Sequence, residues 1–368
     1  MIIKSIEVEK FRSISDVSFE LGKKLTAIAG RNATQKTTLL GMLGQPFAIS
    51  KDSPLFGCST VDGYNFRSQF SEKFKLSITY EPIGSHKWTL NFHNHGYYKN
   101  DKITIQSIAR KQKGKPDGIR FWNADGRKKG EGYVQLPVYY LSLSRLSPIG
   151  ETSKTSTHNI NLTQEEIDYC VRAYREILSI TSISGVPSLS VEKGTGKRVY
   201  SGINDGIHDI FTNSACEGNI SRIILSILSL KRLQDQYSTK YKGGILLIDE
   251  LDATLYGFSQ KRLLKYLLDS AKEYRIQIIF TTHSPIVLNE MYKLHREESK
   301  RSGILPTQSA YDTSIVYLSP DYKDDGSRMI KAENISTSTR LNEIINDINL
   351  LPAANVKKIN AYFEDEHA

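Results

Sequence analysis

The chain has 368 residues, 39% of them hydrophobic and 24% charged, and its formal net charge is +9. That length allows two or three domains and a sizeable core. No stretch reaches the ~18 consecutive apolar residues of a membrane-spanning helix, and the opening Met1-Ile2-Ile3-Lys4 lacks the basic end and long apolar run of a signal peptide, so a cytoplasmic protein without a membrane partner is expected. Three scattered cysteines, Cys58, Cys170 and Cys216, argue against a disulfide framework or a metal site and fit a reducing compartment, while the positive charge favours a polyanionic partner such as nucleic acid.

Strand-like runs open the chain at 2–8, 16–20 and 24–29, and a glycine-containing loop then leads into a predicted helix over 37–43. Short strand candidates at 75–80, 87–92, 103–108, 118–122 and 138–142, separated by Gly, Asn and Asp, suggest an antiparallel region. The Ser/Thr-rich stretch 150–162 reads as a loop. A capping box, Thr163 with Glu166 three residues on, starts an amphipathic helix over 163–179. A long helix over 215–236 carries Ile223, Ile224, Ile227, Leu228 and Leu230 on its apolar side. The continuously apolar runs 244–248 and 276–280, separated by a helix over 259–274, read as buried parallel strands. The expected organisation is an N-terminal lobe (1–80), an inserted β and helical region (81–205), a second lobe (206–320) and a C-terminal segment (321–368).

Gly30-Arg31-Asn32-Ala33-Thr34-Gln35-Lys36-Thr37-Thr38 has the spacing of a Walker A loop, G-x-x-x-x-G-K-[ST], with Gln35 at the second glycine. In such a loop backbone N–H groups wrap phosphate, the lysine neutralises it and the hydroxyl ligates Mg²⁺. A plain helix cap with a solvated lysine is the alternative. Ile245 to Ile248 followed by Asp249-Glu250 resembles Walker B with a catalytic glutamate. Asp249 would then hold Mg²⁺ with Thr37, and Glu250 would orient and deprotonate water. The alternative is an acidic pair that ends a strand and caps a helix. His283, in Thr281-Thr282-His283-Ser284-Pro285, resembles a switch histidine of the kind that sits beside a γ-phosphate; a structural histidine is the alternative. Ser214-Ala215-Cys216-Glu217-Gly218 stands where a signature loop belongs, with Ser214 and Glu217 fitting and Cys216 replacing a glycine; a helix cap is the other reading. Asp252 serves either cross-dimer communication or as a helix N-cap. Gln69 is the candidate for a Mg²⁺-sensing glutamine, with a solvated loop glutamine as the alternative.

Together these motifs resemble the ABC-type ATPases, in particular the OLD (overcoming lysogenisation defect) family, and more loosely the heads of chromosome-maintenance (SMC) and recombination-repair ATPases. The long heptad insertion of SMC proteins is lacking, since Walker A and signature lie about 180 residues apart. The resemblance implies an α/β ABC-type ATPase head, a P-loop core with an inserted antiparallel β and helical region. It implies ATP and Mg²⁺ as ligands and a homodimer in which Ser214 of one copy caps the γ-phosphate held by the other. It further implies kinship with antiphage-defence ATPases, including retron-associated effectors and Septu-type systems, that gate a nuclease effector. A run ending in Phe363-Glu364-Asp365-Glu366 looks like the first strand of a Toprim nuclease, which needs about 100 residues more; a plain acidic tail is the alternative. A nuclease cut short here and a non-hydrolysing, ATP-held scaffold are the competing expectations.

The region 102–130 carries Lys102, Arg110, Lys111, Lys113, Lys115, Arg120, Arg127, Lys128 and Lys129, with Phe121 and Trp122 among them. It is the expected contact for nucleic acid, against a solvated hairpin as the alternative. Lys193 to Arg198 is a second, weaker basic candidate.

Overall fold

A computed structural model describes residues 3–51, 53–67, 70–77, 79–93, 101–112, 115–126, 133–146, 155–158, 160–180, 186–192, 199–204, 212–302 and 311–349. Three strands open the chain: β1 (Ile3–Phe11), β2 (Ile14–Glu20) and β3 (Leu25–Gly30). Helices α1 (Lys36–Gly44) and α2 (Phe70–Lys73) follow. Then come β4 (Lys87–Phe92), β5 (Lys102–Gln112), β6 (Lys115–Asn123), β7 (Val138–Leu141) and a 3-10 turn, Leu143–Leu146. Next are β8 (Thr155–His158), α3 (Gln164–Leu178), β9 (Val186–Glu192), β10 (Val199–Asn204) and α4 (Ala215–Tyr237). The rest comprises β11 (Gly244–Ile248), α5 (Gly257–Glu273), β12 (Ile276–Thr282), α6 (Pro285–Ser302), β13 (Thr313–Tyr322), β14 (Arg328–Asn334) and α7 (Ser338–Asn349).

Eleven strands make one sheet in the order β6-β5-β4-β1-β2-β14-β13-β3-β12-β11-β7, and β10-β9-β8 make a second, three-stranded sheet. From β13 to β7 the neighbours are parallel, and from β6 to β2 they are antiparallel. The apolar run 244–248 is buried throughout because its side chains alternate between two cores. Leu246 and Ile248 join the core under α3 to α7. Ile245 and Leu247 join a core that holds Leu39, Leu40, Met42 and Leu43 of α1 between the parallel strands and the inner face of the antiparallel half. This α/β fold therefore packs α1 against residues of both halves of the sheet, with its N-terminus at the carboxyl ends of β3, β11 and β12.

Both sequence-legible caps form. Thr163 Oγ1 accepts from the Glu166 N–H while Glu166 Oε2 accepts from the Thr163 N–H, and Ser214 and Glu217 do the same at the head of α4.

Several expectations are corrected. Residues 75–77 and 79–80 are turn and coil, not strand. Their polar groups turn to local partners instead of a ladder: the Lys75 carbonyl accepts from Arg12 and the Ser77 N–H donates to Glu81. Part of the Ser/Thr-rich stretch 150–162 is strand β8, paired with β9. The run 138–142 is not antiparallel with its predecessors; β7 is the parallel neighbour of β11, and a short apolar run carries no sign of its partner's direction. Strands on either side of residues 80 and 320 share one sheet: β1 pairs with β4, β13 spans residue 320 and β14 lies beside β2. The acidic run 363–366 and the basic stretch 193–198 lie outside the described residues.

Candidate functional site

Strand β3 runs straight into the loop before α1. Gly30 is required there: a β-carbon would lie 2.6 Å from the Leu318 carbonyl oxygen and 2.7 Å from Thr34 Oγ1. The loop closes on itself, with Thr34 Oγ1 donating to the Arg31 carbonyl at 2.8 Å. Lys36 Nζ lies inside it and donates to the carbonyls of Gly30 and Arg31, each at 2.9 Å. Burial pushes the Lys36 ammonium down to about 8, against the opposing pull of Glu250, Asp249 and Asp252. No side chain caps α1, so its first N–H groups are open to an anion. Arg31, Asn32 and Ala33 are exposed. Arg31 forms an ion pair with Asp347 of α7, and the Ala33 carbonyl accepts from Arg328 at 3.0 Å. Thr38 Oγ1 accepts from Arg12 at 3.3 Å.

Gln35 has left-handed backbone angles, φ 63° and ψ 27°. That explains why glycine is usual at this place, and a residue with a β-carbon costs about 1–2 kcal/mol there. Its side-chain amide donates to Ser13 Oγ in the turn between β1 and β2. The side chain is thereby held towards that turn.

The other half of the site hangs from the ends of β11 and β12. Asp249 is almost wholly buried, and its carboxylate accepts from Thr37 Oγ1 at 2.9 and 3.1 Å and from Thr281 Oγ1 at 2.7 Å. Two oxygens side by side, one hydroxyl and one carboxylate, suit Mg²⁺, which takes few protein ligands and fills its octahedron with water and phosphate oxygens. Among the described residues no cluster of three or more His, Cys, Asp or Glu forms another metal site. Glu250 follows with a left-handed φ of 49°, a strain of order 1–3 kcal/mol for a residue of its type. Its peptide is held at both ends: the N–H donates to Thr281 Oγ1 at 2.6 Å, and the carbonyl accepts from Arg145 Nη2 at 2.8 Å. Burial, then the charges of Asp249 and Asp252, raise the Glu250 carboxyl above its ordinary value. That is the direction a general base working near neutrality needs. Burial and the Lys36 charge lower the half-buried His283, keeping its imidazole neutral. Asp252 Oδ1 accepts from the His283 N–H at 3.3 Å. It does not cap α5, whose N-cap is Tyr256, so the capping reading for Asp252 is corrected.

Lys36, Thr37, Asp249, Glu250, Asp252 and His283 are thus brought together from three chain segments. Among the described residues no hydrogen bond joins Ser214 or Glu217 to this loop; they cap α4. Gln69 lies outside the described residues. Sequence reasoning missed Arg145, Asn219 and the role of Thr281. A lone arginine after β7 carries no motif, and Thr281 was visible only as a neighbour of His283.

The basic region divides. Lys102, Arg110, Lys111 and Arg120 are exposed on β5 and β6, whereas Lys113, Arg127, Lys128 and Lys129 lie outside the described residues. The Arg120 guanidinium lies 4.8 Å from the Trp122 ring centroid. Phe121 cannot stack on a base. It points to the opposite face of the sheet, 5.0 Å from Trp88 and 5.2 Å from Phe74 by ring centroids, because neighbouring residues on a strand face opposite ways.

A loop of Walker A spacing between a buried strand and a helix, with its lysine, its hydroxyl and a strand-end carboxylate close together, has the form of a P-loop ATPase core. A family model described as "AAA domain, putative AbiEii toxin, Type IV TA system" matches residues 221–289, the segment holding Asp249, Glu250 and His283. Among solved structures the chain is similar to an SMC head bound to the C-winged helix domain of ScpA, at 15% identity over 93% of this chain and 100% of that one, with TM-score 0.46. It is also similar to the SMC head domain of Thermotoga maritima, at 15% identity over 90% and 98%, TM-score 0.45. A third is the Pyrococcus yayanosii Smc head with a coiled coil and joint, at 11% identity over 94% and 99%, TM-score 0.48. Among the described residues no helix is long and apolar enough to cross a membrane.

Proposed function

We propose that the chain is an ABC-type, Mg²⁺-dependent ATPase that pairs with a second copy of itself on nucleotide and uses the cycle to gate a nuclease effector in antiphage defence. The observation that carries the hydrolytic part is the convergence of Lys36 and Thr37 on the loop with Asp249 and Glu250 at the strand end, where Thr37 Oγ1 and the Asp249 carboxylate are within 3.1 Å. Lys36 exchanges its two carbonyl partners for phosphate oxygens. Thr37 and Asp249 would hold Mg²⁺, which would supply neutralisation of phosphate charge. Glu250 orients a water and takes its proton as the water oxygen bonds to the γ-phosphorus and the bond to the ADP oxygen breaks. His283, whose neutral form burial and the Lys36 charge favour, would sense the γ-phosphate. In this reading Ser214 and the first turn of α4 from the second copy complete the site. The Gln35 amide, engaged with Ser13 Oγ, favours hydrolysis over the scaffold alternative.

The test is ATP turnover by the purified chain beside Lys36→Ala, with molecular mass determined with and without ATP and Mg²⁺. Turnover abolished by Lys36→Ala, together with ATP-dependent doubling of mass, is the expected result. Tight ATP binding without turnover would instead support the nucleotide-held scaffold.

A further inference from the structure

The Arg145 side chain lies inside the molecule, 7% exposed, in the turn after β7. Its guanidinium reaches three chain segments. Nη1 donates to the Ser142 carbonyl at 3.0 Å within its own turn. Nη2 donates to the carbonyl of Glu250 at 2.8 Å, and Nε donates to Asn219 Oδ1 at 2.7 Å. Asn219 is fully buried in the second turn of α4, two residues after Glu217, and its own amide donates to the Ala253 carbonyl at 2.9 Å. Arg145 and Asn219 together therefore pin both ends of the segment 250–253 to the head of α4.

A planar fork of five donors can hold carbonyls in several directions at once; a lysine at this place would reach one or two of them. A cation buried beside carbonyls and an amide, with no direct ion pair among the described residues, is costly in a merely packed core. Arg145 approaches Glu250 by its carbonyl only, leaving the carboxylate for water. The backbone it holds is the left-handed one that sets where that carboxylate points.

We infer that Arg145, acting with Asn219, is a positioning residue for Glu250 that couples the head of α4 to the water-activating carboxylate. This deepens the hydrolytic reading and rests on it. Nucleotide binding, carried by the loop before α1, does not depend on the link, whereas the chemical step does. A displacement of the carboxylate by about 1 Å costs on the order of 100-fold in rate.

The experiment measures kcat and KM for ATP, and the Kd of a fluorescent non-hydrolysable ATP analogue, for wild type, Arg145→Ala, Arg145→Lys, Asn219→Ala and Asn219→Asp. Circular dichroism and thermal melting report folding. In Arg145→Ala, kcat is expected to fall on the order of 100-fold with analogue Kd within about threefold of wild type. Asn219→Ala should lose about tenfold in kcat, and Asn219→Asp, which keeps an oxygen acceptor for Nε, should recover part of that loss. Arg145→Lys should not restore the rate. Should Arg145→Ala fail to fold, the two Asn219 variants decide. Folded Asn219 variants with wild-type kcat, or with kcat and Kd impaired in parallel, overturn the inference. A wild type that binds ATP but does not turn over removes the hydrolytic reading and this inference with it.

Discussion

Replacing Thr281 by valine removes one hydroxyl and almost no volume. The side chain is completely buried at the end of β12, and its Oγ1 both donates to Asp249 Oδ1 and accepts from the Glu250 N–H. Losing a hydrogen bond to an ionised group costs about 1.5–3 kcal/mol, and leaving the Glu250 N–H without its partner adds about 1 kcal/mol, the low end of the range because that group is only part-buried. Thr281→Val is therefore expected to cost about 2.5–4 kcal/mol. Thr281→Ser keeps the hydroxyl and loses one buried methyl, about 1 kcal/mol. Urea unfolding of the three proteins at pH 7, compared at equal slope, measures the difference. A valine variant as stable as the serine variant would refute the reasoning, since methyl packing rather than the Asp249–Thr281–Glu250 bridge would then be what the threonine supplies.

Glu250→Gln should lower ATP hydrolysis about 10²–10⁴-fold while leaving ATP bound and the pair of subunits trapped; unchanged turnover would remove Glu250 from its role. The same variant should melt slightly higher than wild type at pH 7 without nucleotide. The raised Glu250 carboxyl keeps its proton to higher pH in the folded chain than in the unfolded one, so its ionisation costs stability as pH rises from the ordinary carboxylate value through the raised one, and Gln removes that cost. Lys36 gives a binding signature. With its ammonium pushed down to about 8 in the free chain, ATP must restore the proton above that pH, so affinity should fall towards tenfold per pH unit from about 8 up to the ordinary lysine range. Nucleotide titrations between pH 7 and pH 10 check this, and a flat profile through the upper half of the window contradicts it.

Much of the site was legible in the sequence because its chemistry is local. The loop 30–38, the pair Asp249-Glu250 and the capping boxes at Thr163 and Ser214 are set by residues a few positions apart, and short-range hydrogen bonds and backbone angles decide them. The buried strands β11 and β12 were legible for a related reason: a run apolar on both faces has no solvent side to mark with polar residues. What joined these pieces was not legible. That β7 lies parallel beside β11, that β14 closes the gap to β2, and that Phe121 faces the core while Trp122 faces outward depend on which strands pair and in what register. Thr281 and Arg145 acquire their roles only because the fold brings them to Glu250 from 31 residues downstream and 105 residues upstream. A lone threonine or arginine carries no periodicity, and burial against a distant backbone is a property of the packed chain alone.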